Sequence, residues 1–154
     1  MDTRFLAVLL IVLSAAFAQT TPLAAVFGVK VGLALAAVFF SAFFVRTFFH
    51  HAALAALALA AISFPFGTFS DTAPLFAVFL AGYLVRRAAS WQPWLSYPAS
   101  LFAATFLLYA LIDIRFLAGH PGIVLREGAY TAIFGAFLYL SIGLPHDVPR
   151  RHTF

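Results

Sequence analysis

Few residues in this chain could carry chemistry. It has five acidic side chains, five histidines, nine lysines and arginines, and no cysteine in 154 residues. Without cysteine, disulfides, thiolate metal sites and thiol nucleophiles are excluded together. Asp113, Arg115, Arg126 and Glu127 lie close enough in sequence to form a polar pocket at one end of the molecule. The simpler reading places them at an interface. Asp113 and Arg115 are two residues apart, so they leave a helix on different sides. Glu127 is expected at the start of a helix, where its charge meets the positive end of the helix dipole, while Arg126 extends outward. Asp71, in Ser70-Asp71-Thr72-Ala73-Pro74, reads as a helix N-cap. His50 and His51 are adjacent and cannot share a helix face, which argues against a metal site built from the two. Phosphate-cradling glycine loops, the Gly-x-Ser-x-Gly elbow and the His-Glu-x-x-His zinc signature are all missing. No catalytic residue, metal ligand or cofactor is expected.

The elements that position these residues follow from composition. Hydrophobic residues make up 64% and charged residues 9% of the chain. A soluble domain carries roughly 25% charged residues, so most of this surface is expected to face lipid. A bilayer core about 30 Å thick takes roughly 20 apolar residues in a helix. Six such stretches predict an all-α, single-domain membrane helix bundle, with helices near 5–20, 29–45, 48–66, 73–85, 97–117 and 126–144. Prolines 22, 65, 74, 93, 98, 121 and 145 fall at or near the ends of these stretches. The first and fourth stretches are short for a full span. The third is alanine-rich, with an insertion free energy of only about −2 to −5 kcal/mol from its large apolar side chains. Ala52, Ala56 and Ala60 recur every fourth residue along it. That small-residue stripe places the helix inside the bundle or against a partner, and Gly128, Ala132 and Ala136 repeat the pattern in the sixth helix.

Charge sets the expected orientation. Alternate loops put Arg4, Arg46, Arg86, Arg87, Arg150 and Arg151 on one side and Lys30, Arg115 and Arg126 on the other. The side richer in basic residues is cytoplasmic, which puts both termini there. The net charge of +4 is therefore a topology signal, and nucleic acid is not an expected partner. Trp91, Trp94 and Tyr97 read as an aromatic belt at the inner headgroups. Residues 1–18 also fit a signal peptide, with Ala16-Phe17-Ala18 as the cleavage site. Retention as an uncleaved first helix is the expectation adopted, because a first helix serves as its own signal.

Gln19-Thr20-Thr21-Pro22 with Gly28-Val29-Lys30, then Phe66 to Pro74 leading through Leu75–Tyr83 to a basic pair, then Arg126 to Leu140 with a basic tail, are spread over nearly the whole chain. Together these stretches resemble the rod-shape-determining protein MreD family. The sequence departs from that family at Ala60-Ala61-Ile62-Ser63-Phe64, where many members carry a glycine and an aspartate. The resemblance implies a non-catalytic scaffold of the bacterial inner membrane. Its partners would be an MreC-like single-span protein and the enzymes of lateral peptidoglycan synthesis. That family is thought to share its architecture with the vitamin-binding S components of energy-coupling factor transporters, which are the alternative. In an S component, Asp113, Arg115, Arg126, Tyr109 and Tyr130 would wall an outer pocket.

Overall fold

A computed structural model describes residues 3–21, 25–26, 29–45, 47–63, 69–88 and 93–143. Among these the chain is all-α apart from one two-residue bridge. The helices are α1 (Thr3–Thr20), α2 (Leu33–Phe44), α3 (Phe48–Ser63), α4 (Phe69–Ala88), α5 (Pro93–Ile112), α6 (Ile114–Gly119) and α7 (Pro121–Leu138). α7 runs on into a π-helical turn, Tyr139–Gly143. Between α1 and α2, β1 (Ala25–Val26) pairs antiparallel with β2 (Val29–Lys30).

The core is organised around α2. α1, α3, α4, α5 and α7 all pack on it, and they follow one another around it in the order α1, α3, α4, α5, α7. Every residue from Ala34 to Ala42 is buried. Four alanines and Ser41 lie in that run, and their small side chains make α2 a thin cylinder that its neighbours can approach closely. With 12 residues, α2 is roughly 18 Å long at 1.5 Å per residue, well short of a bilayer core. Among the described residues, two helices are long and apolar enough to cross a membrane, Trp94–Ile112 and Pro121–Ile142.

α5 and α7 form the tightest pair, because α7 turns glycines toward α5. Val124, Gly128, Thr131 and Gly135 are its buried residues, at intervals of four, three and four. A Cβ on Gly128 would come within 3.1 Å of the Phe102 ring, and one on Gly135 would overlap Leu101 Cδ1. The small-residue face of this helix is therefore Gly128 with Gly135. Ala132 and Ala136, expected on the same stripe as Gly128, are only half-buried.

Other expectations also need correction. The Ala52, Ala56 and Ala60 stripe does not face the bundle: Ala52 is half-buried, and Ala56 and Ala60 are exposed or half-exposed along the outer face. The inward face of α3 is His51, Leu54, Ala55 and Ala58, because a buried histidine with two polar partners fixes the rotation of the helix. Ala56→Leu is accordingly expected to change stability by less than about 0.5 kcal/mol in a detergent-unfolding titration. The stretch expected as a single helix over 97–117 is broken at Asp113. Its carboxylate accepts from Phe116 N at 2.9 Å and starts α6 as an N-cap. α7 begins at Pro121, five residues before the expected start, with proline in the first turn. Glu127 is thus the seventh residue of α7 and not a residue of its first turn. α4 begins at Phe69, so Asp71 lies within it and not at its N-cap. Pro93 opens α5, which moves Tyr97 from an interfacial loop into the core. The side chains of Arg4, Lys30 and Asp71, together with Arg46, Trp91, Arg150, Arg151 and the 144–154 tail, lie outside the described residues.

Candidate functional site

Both ends of a short helix enclosed in a bundle leave backbone groups to satisfy. For α2, neighbouring helices supply the partners. At its N-terminus, Gln19 Oε1 of α1 accepts from Leu33 N at 2.7 Å and Ala34 N at 3.4 Å. Gly32 N donates to Thr131 Oγ1 of α7 at 2.9 Å. Gly32 has no side chain to obstruct this contact, and a Cβ there would stand 3.0 Å from the same oxygen.

Midway along α2, the buried Tyr97 hydroxyl of α5 donates to Ala36 O at 2.6 Å. That carbonyl has a second lone pair beyond its intrahelical bond. The Tyr97 ring meets Phe43 edge to face at 5.3 Å and lies 5.9 Å from Tyr139. One turn further on, Ser41 Oγ stands 2.6 Å from Val38 O and 2.9 Å from His51 Nδ1 of α3. His51 Nε2 lies 3.0 Å from Phe79 O of α4.

At the C-terminus, Arg86 of α4 donates to Ala42 O and, at 3.4 Å, to Val45 O. Its guanidinium lies 5.4 Å from the centroid of the Phe43 ring. A cation is favoured here, because the last-turn carbonyls form the negative end of the helix dipole. The site is thus a set of polar anchors, one from each surrounding helix. Among the described residues, no buried side-chain nitrogen or oxygen lacks a hydrogen-bond partner. An arrangement in which these donors and acceptors are committed to joining helices holds a bundle together.

The expected outer pocket is not assembled as one site. Asp113 is committed to capping α6, and Arg115 and Arg126 are exposed. Glu127 is half-buried and accepts from the Tyr109 hydroxyl at 2.5 Å, a length typical of a charge-assisted bond. Phe116 stacks on Tyr109 at 5.5 Å, and His120 lies 5.1 Å from Phe116. These contacts fasten α6 and the start of α7 to the end of α5. Among the described residues, no three histidine or carboxylate side chains come together as metal ligands would.

The anchors that sequence reasoning passed over are Ser41, Thr131, Gly135 and the inward role of Tyr97. Gln19 stood out only through the family resemblance, and Gly32 was passed over as well. Their signal was weak but physical: each is a polar or smallest residue isolated in an apolar run, where something must satisfy or exploit it. Comparison of the chain with protein-family models, curated proteins and solved structures finds no match.

Proposed function

We propose that this chain is a polytopic integral membrane protein that acts as a non-catalytic scaffold, binding partner membrane proteins through helix faces. The observation that carries this reading is the division of labour between inside and outside. Polar side chains are spent inward on α2, while large apolar side chains face outward, among them Phe17, Phe49, Ile133 and Phe137 at 62 to 84% exposure. An apolar exterior of this extent fits lipid and partner helices, and the two span-length helices support insertion. In this reading α1, α3 and α4 also cross the bilayer, and α2 is a buried half-span that survives at membrane depth because protein surrounds it.

Both termini are cytoplasmic in this proposal, and Arg86 and Arg87 mark the inner end of α4. By its resemblance to the MreD family, the scaffold would serve lateral peptidoglycan synthesis at the bacterial inner membrane, with an MreC-like protein and wall-synthesis enzymes as partners. The outward-facing Ala56 and Ala60 offer a close-approach surface for such a partner helix. Affinity purification from native membranes in mild detergent, followed by mass spectrometry, tests the reading. Recovery of a single-span coiled-coil protein with wall-synthesis enzymes supports it. Recovery of ATPase subunits with a membrane coupling protein replaces it with the vitamin-uptake alternative.

A further inference from the structure

The His51 ring is fully buried where α2, α3 and α4 meet, and its hydrogens can be counted. Phe79 O can only accept, so Nε2 carries a hydrogen in every state of the ring. Ser41 Oγ has one hydrogen and two acceptors in reach, Val38 O at 2.6 Å and His51 Nδ1 at 2.9 Å. With a neutral ring, the hydroxyl turns to Nδ1. With a cationic ring, Nδ1–H donates to Oγ, and the hydroxyl turns to Val38 O. The two states differ by one proton, taken from water onto Nδ1, and by rotation of a single hydroxyl. No heavy atom has to move.

We propose that His51 is an internal proton-responsive switch whose second proton loosens the hold of α4 on the C-terminal end of α2. The charges around it give the sign. From α4 it faces Tyr83, with ring centroids 5.6 Å apart, and Arg86, whose charge acts on it. α2 contributes only the uncharged Ser41, and α1 carries no titratable side chain from Phe5 to Thr20. On α3 itself, His50 is exposed on another face and bonds to Thr47. Among the described residues the charged group that acts on His51 is Arg86, so a cationic His51 meets a second cation. The two cations share the end of one helix, and their repulsion weakens the Arg86 bonds to Ala42 O and Val45 O.

The test uses ¹⁵N-histidine-labelled full-length protein in lipid nanodiscs, followed by NMR through a pH titration, with His51→Asn assigning the signals. Spin labels on Thr47→Cys and Arg87→Cys, in this cysteine-free chain, report the distance from the α2–α3 connection, just beyond the C-terminal end of α2, to α4. The expected result is a neutral ring protonated at Nε2 only, which gains a second proton on acidification with helicity intact. Ser41→Ala should need about a tenfold higher proton concentration for half-protonation, because the acceptor for Nδ1–H is gone. The 47–87 distance distribution should broaden over the same pH range in the otherwise native chain and stay constant in His51→Asn. A neutral ring protonated at Nδ1 would overturn the proposal. So would loss of helicity before the second proton binds, an unchanged midpoint in Ser41→Ala, or a distance that ignores pH.

Discussion

Leucine at position 135 is expected to lower the unfolding free energy by about 2–3 kcal/mol, the range for overpacking a filled core. A bare Cβ on Gly135 already overlaps Leu101 Cδ1 and stands 3.2 Å from the Tyr97 ring. Leu101 is fully buried, and Tyr97 is held by its hydrogen bond to Ala36 O. The strain therefore reaches α2 through α5, and the α5–α7 seam opens. A Cβ added at Gly122, on the same helix, would meet nothing within 4 Å. Gly122→Ala should consequently leave stability unchanged or raise it by up to about 1 kcal/mol. Unfolding in a detergent titration followed by circular dichroism separates the two. Equal effects at 122 and 135 would show that helix propensity, and not packing, governs α7.

The second large effect is expected at Gln19. Gln19→Leu removes the acceptor for Leu33 N and Ala34 N in the first turn of α2. Leu33 N keeps its bond to Val31 O at 2.8 Å, so Ala34 N is the donor left without a partner, at an expected cost of about 1–2 kcal/mol. Gln19→Glu keeps an acceptor in place and sets a negative charge at the positive end of the helix dipole. Its loss should be less than half that of the leucine variant, measured by the same titration. If the two variants lose the same stability, Gln19 matters for its shape and not for capping.

The same two positions show what was legible in the sequence. Apolar runs located the helices to within about five residues, because hydrophobicity is a local signal, whereas Pro74 and Pro98, expected near helix ends, lie inside α4 and α5. The enclosure of α2 by the other helices was not legible. Its sequence is as apolar as that of α5, and its rank as the central helix comes from the company it keeps. The small-residue pattern at Ala52, Ala56 and Ala60 left open whether it faced the bundle or a partner, because spacing alone cannot say which face of a helix points inward. There the burial of His51, one residue from the stripe, decided the rotation. The Asp113 break was missed for a related reason. A capping carboxylate inside an apolar run looks like an interfacial charge until the backbone turns at it. Of the expected outer site, the acidic members proved to be fasteners, Asp113 for α6 and Glu127 for Tyr109.

The scaffold reading depends first on a chain that crosses the membrane with α6 on one side and the α2–α3 and α4–α5 connections on the other. Cysteine labelling tests this directly, since the native chain has no cysteine. Single variants Thr47→Cys, Arg87→Cys, Arg115→Cys and His120→Cys are made at exposed positions and treated in intact spheroplasts with a membrane-impermeant maleimide. Labelling of positions 115 and 120 in intact spheroplasts, with 47 and 87 reacting only after permeabilisation, is the predicted result. Equal labelling of all four before permeabilisation, or recovery of the protein in the soluble fraction, would contradict it.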